Sequence, residues 1–330
     1  MIRSLRKVSV FGLSCILTLT AMAQAPNEII VRKEYKPPVM QDSAGLKALL
    51  ERAVAETLAA FPDKNWKSEE ISATVIDLRD PNKWQVADVR GERQMYPASV
   101  PKMFYMAALQ HQLEDGKVRQ TAELTRGEKD MIVDSSNEAT QYILDVITET
   151  ASGAELPEKE FEAWQYKRNR VNRYLAAMGY RNINVNQKIF CEDAYGIEQQ
   201  SRGYKGLNRN MLTTNATARM MAEIVTGRLA SPERTRHMMD LMKRDPFDAT
   251  KDPDDQAHGF TGKALKDRKL TDAKLWSKAG WTSRARHDAA YIETANGGRF
   301  VIAIFTENHA TEKEVIPMVA GKVIDGITKN

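Results

Sequence analysis

The chain has 330 residues, 42% hydrophobic and 28% charged, which suits one large globular domain or two small ones and excludes a disordered, collagen-like or disulfide-rich chain. Its formal charge of +4 comes largely from residues 1–23, which hold three basic and no acidic side chains; without them it is about +1, so no basic stripe remains for nucleic acid. Five scattered histidines and two cysteines lack metal-ligand spacing, so no metal or other cofactor is expected.

Arg3, Arg6 and Lys7 precede an uncharged apolar run from Val8 to Ala21, and Ala21-Met22-Ala23 supplies small residues for cleavage. Residues 1–23 therefore read as a signal peptide, and the mature protein is expected to be periplasmic or secreted, without a membrane anchor. Cys15 lies in this leader, which leaves Cys191 alone in the mature chain, expected to be a small buried residue.

Residues 24–42, with Pro26, Pro37 and Pro38, read as an extended lead-in. Apolar residues at helical spacing (Leu46, Leu50, Val54, Leu58) predict a helix over 43–60. Ile71 to Leu78 and Trp84 to Val89 read as a hairpin around Asp80-Pro81-Asn82. Helices are predicted from Val100 to Leu113, from Glu138 to Thr148 and from Phe161 to Met178, the last ended by Gly179. Asn182 to Asn210 is irregular, and an irregular stretch of that length is usually functional. Further helices are predicted over 215–227, where Thr213 or Thr214 suits the cap, and over 232–242. Leu275 to Trp281, His287 to Thr294 and Arg299 to Thr306 read as strands, the last two joined by Asn296-Gly297-Gly298. A helix from Glu312 to Ile327 closes the chain.

This order predicts an α/β (α+β) fold: an antiparallel sheet built from both chain ends, flanked by helices, with an inserted all-helical region. Residues 43–328 would form a single domain, its α/β region at 43–95 and 270–328 and its helical region at 96–269. A ligand would bind in the cleft between them.

Ser99 and Lys102 lie one helical turn apart on the same face, a spacing that lets a lysine act as base for a serine nucleophile if its pKa is lowered. A plain surface helix produces the same spacing, as Ser4 and Lys7 illustrate. Two further marks follow in order: Ser135-x-Asn137 and Lys278-Ala279-Gly280. A second serine between two amines would relay a proton to a leaving nitrogen. An amide such as Asn137 would orient substrate, and Lys278 would anchor an acidic group on it. Gly280 would let substrate lie close to its strand. Tyr105 and Trp281 suit either the cleft wall or plain packing.

The ordered set resembles the penicillin-recognising serine enzymes, most closely the class A β-lactamases. Gly91-Glu92-Arg93, the run from Thr213 to Gly227 and the segment from Lys278 to Thr306 extend the resemblance over most of residues 43–328. It implies a β-lactamase/transpeptidase-like fold with Ser99 as nucleophile, Lys102 as base and Ser135 as relay. The oxyanion hole would be the backbone N–H groups of Ser99 and Trp281. Asn137, Lys278, Ala279, Gly280, Trp281 and Arg286 would line the substrate site; a surface arginine is the other reading of Arg286.

Three departures stand out. Ser99 and Ser135 are closer in sequence than the family usually has them. The hydroxyl residue after the strand lysine is Ala279 here, with Thr282 or Ser283 as possible replacements. The glutamate that activates the deacylating water is not evident; Glu198 is nearest in spacing and Glu192 is the other candidate, and an exposed surface glutamate is the other reading of each. With a working glutamate the resemblance implies a β-lactamase acting on small-molecule β-lactams as a monomer. Without one it implies a D-Ala-D-Ala carboxypeptidase or penicillin-binding protein acting on peptidoglycan stem peptides, or a non-catalytic binding or sensor domain.

Overall fold

A computed structural model describes residues 28–250 and 252–328; the expected leader, with Cys15, lies outside them. Met40–Asp42 forms a short strand, β1, inside the lead-in. Helix α1 (Ala44–Ala59) starts at Ser43, whose hydroxyl accepts from the Leu46 N–H, as a serine N-cap does. β2 (Ile71–Asp77) and β3 (Trp84–Val89) form the expected antiparallel hairpin.

The helical layer then follows. α2 (Pro101–Glu114) is buried from Pro101 through Leu113, so it runs through the interior and not along a surface. α3 (Ala122–Ile132), which the sequence pattern does not predict, is capped by Thr121, whose hydroxyl accepts from the Leu124 N–H. After α4 (Asn137–Thr148) come α5 (Glu158–Arg168) and α6 (Arg170–Ala177). These two replace the single helix expected over 161–178. The break is at Asn169, whose Oδ1 accepts from the side chains of Asn172 and Asn186, so tertiary bonding overrides local helical preference. α7 (Ile197–Arg202) lies within the irregular stretch. α8 (Thr214–Val225) is capped by Thr213, whose hydroxyl accepts from the Ala216 N–H. α9 (Pro232–Met242) runs into β4 (Lys243–Arg244).

α10 (Thr261–Asp267) precedes three antiparallel strands, β5 (Lys274–Trp281), β6 (Ala285–Glu293) and β7 (Arg299–Glu307). Gly297 turns the last hairpin at φ +90°, where a side chain would be strained. α11 (Val315–Thr328) tolerates Pro317 because it sits in the first turn.

β7 pairs antiparallel with β2, Ile71 opposite Thr306 and Asp77 opposite Phe300, so both chain ends enter one seven-stranded sheet in the order β1-β3-β2-β7-β6-β5-β4. β1 pairs parallel with β3, a local exception to the antiparallel expectation. Neither β1 nor β4 is predicted, because runs so short carry no period. Side chains alternate between two cores: Trp276, Tyr291 and Phe305 meet the helical layer, while Leu275, Ile292 and Ile304 join α1, α10 and α11. The lysine of β5 at position 278 therefore shares the face of Trp276, toward the helical layer. Among the described residues no helix is long and apolar enough to cross a membrane.

Candidate active site

Ser99 is half-buried in the turn that opens α2: the Val100 N–H bonds the Pro97 carbonyl at 3.1 Å and the Lys102 N–H bonds the Ser99 carbonyl at 3.3 Å. Pro101 occupies the first helical position, where its missing N–H costs nothing. Ala98 just before has φ +47°. That is a left-handed conformation which residues with a Cβ adopt at a cost of about 1–2 kcal/mol and which gathers at functional sites.

One turn further, Lys102 is fully buried. Its amine donates to Asn137 Oδ1 at 2.8 Å, to the Ser135 carbonyl, and to Ser135 Oγ at 3.3 Å. All of these acceptors are neutral. Burial is the largest influence and brings its pKa down to about 7, with Glu138 and Cys191 pulling the other way. A lysine so placed is uncharged for much of the time near neutral pH and can accept a proton.

Ser135 sits in the α3–α4 turn at φ +57°, and Ser136, the next residue, caps α4 by accepting from the Ala139 N–H at 3.1 Å. Asp134 is exposed and does not serve as that cap. Ser135 Oγ also accepts from Lys278 Nζ at 2.9 Å, so it lies between two amines. Lys278 is fully buried on β5. Burial, then the charges of Lys102 and Arg244, hold its pKa well below the usual lysine range. Beside it, a Cβ on Gly280 would lie 2.7 Å from the Ser99 nitrogen and 2.9 Å from the Pro97 carbonyl oxygen. Glycine is what lets β5 press against the Ser99 turn. The three sequence marks thus converge from α2, the α3–α4 turn and β5.

Other candidates fall elsewhere. Ala279 points to the opposite face of the sheet, into the core with Phe260 and Ala264. Thr282 uses its hydroxyl to accept from the Arg284 and Ala285 N–H groups and so closes the β5–β6 turn. Trp281 is 42% exposed, its ring 5.6 Å from that of Phe260. Arg286 does not reach the cleft: it is buried, bound to Asp254 and to the Gly259 carbonyl at 2.7 Å, with its guanidinium over the Phe260 ring. Tyr105 is fully buried and donates to the Gln187 carbonyl at 2.8 Å, which is packing.

Glu198 is buried on α7 and gripped by Arg168 at 2.7 and 2.8 Å, by Ser152 Oγ at 2.9 Å and by Lys188 at 3.3 Å. Burial pushes its carboxyl upward, but the Arg168 hydrogen bonds and the two cations outweigh that and hold it below the usual range. Glu192 is exposed on the rim of a groove of about 920 Å³ between the 190–209 segment and the β5–β6 turn, with Tyr96, Phe190 and Cys191 along its wall. Among the described residues no carboxylate hydrogen-bonds Lys102, Ser135 or Asn137. Cys191 is exposed, not buried as the sequence suggests, and its sulfur accepts from Asn137 Nδ2 at 3.4 Å. Gln256, which no spacing in the sequence singles out, accepts from Lys278 Nζ at 2.6 Å. Among the described residues no group of His, Cys, Asp and Glu could hold a metal ion.

Comparison with known proteins agrees with this architecture. A β-lactamase from Sphaerobacter thermophilus superposes with a TM-score of 0.60 at 18% identity, over 84% of this chain and 98% of that one. The protein PBP-A gives 0.59 at 17% identity, over 89% and 100%. A representative class A β-lactamase from Bacteroides cellulosilyticus gives 0.59 at 15% identity, over 86% and 99%. At such identities these likenesses establish the β-lactamase/transpeptidase fold. No curated protein matches the chain by sequence. The family model described as "Beta-lactamase enzyme family" matches residues 50–326, and the chain belongs to that family.

Proposed function

We propose that this protein is an exported serine enzyme of the class A β-lactamase type that opens cyclic amides through an acyl-Ser99 intermediate. The observation that carries this reading is the hydrogen-bonded run Lys102–Ser135–Lys278 beside Ser99. Lys102 takes the Ser99 proton as the oxygen adds to the β-lactam carbonyl, and the backbone N–H groups of Ser99 and Trp281 receive the oxyanion. When the tetrahedral adduct collapses, the C–N bond breaks. The leaving nitrogen takes a proton from Ser135, which Lys102 replaces. Asn137 orients the substrate amide, and Lys278, buried behind Ser135, holds the relay. The apolar leader of residues 8–21 supports export to the periplasm or medium.

The confinement of Glu198 favours a second reading for the step after acylation. A water that hydrolyses the ester needs a base within hydrogen-bond reach, and the nearest candidate by sequence is bound to Arg168. On this reading the protein is a D-Ala-D-Ala carboxypeptidase or penicillin-binding protein of the same fold, and a β-lactam acylates it and leaves slowly. A PBP-A mutant of the same fold is known as an acyl-enzyme complex with penicillin G.

A chromogenic β-lactam assay combined with intact-mass measurement tests both readings. Rapid hydrolysis supports the β-lactamase, and a persistent adduct on Ser99 supports the peptidase. An absence of both hydrolysis and adduct leaves a non-catalytic binding domain, and hydrolysis unchanged in Ser99→Ala overturns the acyl-Ser99 mechanism.

A further inference from the structure

Gln256 lies outside every motif, in the polar stretch between β4 and α10, yet it is buried against the site. Its Oε1 accepts from Lys278 Nζ at 2.6 Å and from the Ala279 N–H at 3.2 Å. Its Nε2 donates to the Val133 carbonyl at 2.9 Å and to the Ile132 carbonyl at 3.3 Å. The amide orientation follows from its partners: oxygen meets two donors and nitrogen meets two acceptors. One side chain thus ties β5, which carries Lys278, to the end of α3, two residues before Ser135.

The arrangement around Lys278 is specific. Its amine has three neighbours: Gln256 Oε1, the Ala279 carbonyl at 2.9 Å and Ser135 Oγ at 2.9 Å. The first two only accept, so each claims an N–H. A neutral amine has two N–H bonds and one lone pair, and a charged one has three N–H bonds. The remaining position, which is a lone pair in one state and an N–H in the other, must therefore face the Ser135 hydroxyl.

We propose that Gln256 is a positioning residue that turns the one exchangeable position of the Lys278 amine onto Ser135, so that this pair can hold or release a proton during acylation. The inference rests on the acyl-Ser99 reading. A neutral amide is essential to it. The charged groups that Lys278 feels are Lys102 from α2, Arg244 from β4 and Asp288 from β6, and the two cations outweigh the single acid. A carboxylate in place of the amide would reverse that balance and fix the proton on Lys278.

The test compares wild type, Gln256→Glu and Gln256→Asn as full mature chains. The first readout is the titration of Lys278, followed by NMR of its labelled side chain in the free protein. The second is the pH profile of Ser99 acylation by a chromogenic β-lactam. Gln256→Glu should raise the Lys278 pKa by at least one unit and slow acylation at neutral pH by tenfold or more, with the rate recovering at higher pH. Gln256→Asn, which keeps a neutral acceptor on a shorter arm, should slow acylation while leaving the profile's midpoint unmoved. A Lys278 titration unchanged in Gln256→Glu overturns the assignment, as does a rate loss in Gln256→Glu without displacement of its profile, which is what a merely structural tie would give. If wild type shows neither adduct nor hydrolysis, the acyl-Ser99 reading fails, and the NMR titration alone still decides whether Gln256 governs Lys278.

Discussion

Two buried polar clusters lie within the same helical layer and are built from the same kinds of residue, yet their charge balance is opposite. Around Ser135, the cations Lys102, Lys278 and Arg244 are offered hydroxyls, amides and backbone carbonyls. Around Glu198, the cations Arg168 and Lys188 are matched by two carboxylates, Glu198 and Asp145. In the first cluster burial, joined at Lys278 by the neighbouring cations, outweighs the nearby acids Asp288 and Glu138 and holds the pKa values of both amines down. The second is saturated and acts as a brace for the 145–202 region. On the acyl-Ser99 reading, proximity of ionisable groups does not mark chemistry here; an excess of one sign does.

The sharpest way to break this comparison is to remove the unbalanced charge. Lys102→Met should slow Ser99 acylation by about 10²–10⁴-fold, the usual worth of a general base, while the fold persists, since an apolar side chain suits that buried site. Stopped-flow acylation and thermal melting together check it. Removing one partner from the saturated cluster should do the reverse. Glu198→Ala leaves Arg168 underpaired in the interior and should cost about 3–5 kcal/mol of stability, read by urea unfolding. Release of any acyl group from Ser99 should not change. If the variant stays folded and acyl release stops, Glu198 is the deacylating base and the brace assignment is wrong.

A smaller effect is expected where the strand meets the Ser99 turn. Gly280→Ala puts a methyl into backbone contact distance and should cost about 1–3 kcal/mol as overpacking, with a slower acylation rate in the same variant. The gentlest perturbation is pH. In the folded chain Lys102 titrates near 7, whereas an unfolded lysine titrates near ~10.4. Between these values the unfolded state binds more protons, so stability rises with pH across that window and is lowest below it, by at most about 1.4 kcal/mol per pH unit for each such lysine. Denaturation midpoints from pH 6 to 10 should climb in wild type and climb less steeply in Lys102→Met. Acylation should rise with pH through about 7 as Lys102 loses its proton.

Much of the site is legible in the chain because it is local. Ser99 and Lys102 share one helical turn, Ser135 and Asn137 one helix start, and Lys278 and Gly280 one strand face. The hairpins are legible for the same reason, since β-branched alternation and turn residues sit side by side. What escapes is set by distant partners. Gln256 gains its role from β5 and the end of α3, and Cys191 is placed at the cleft by Asn137. Glu198 matches a catalytic spacing but is claimed by Arg168, thirty residues earlier in the chain. Arg286 has the expected strand position, and Asp254 and Phe260 hold it away from the cleft. Spacing reports which residues share an element; it does not report which neighbour reaches them first.

The adjacency of β2 and β7 has a consequence for how the protein acquires its chemistry. Ile71 waits for Thr306 before the middle of the sheet exists, and the two amines of the site come from residues 102 and 278. Contacts of such long sequence separation form late and slowly compared with helical ones. A chain in which β5 has not docked would leave Lys278 outside the interior, hydrated and charged. On the acyl-Ser99 reading, nucleophilic reactivity would be acquired only on completion of the fold, and trapping of Ser99 by a β-lactam during refolding would time that last event.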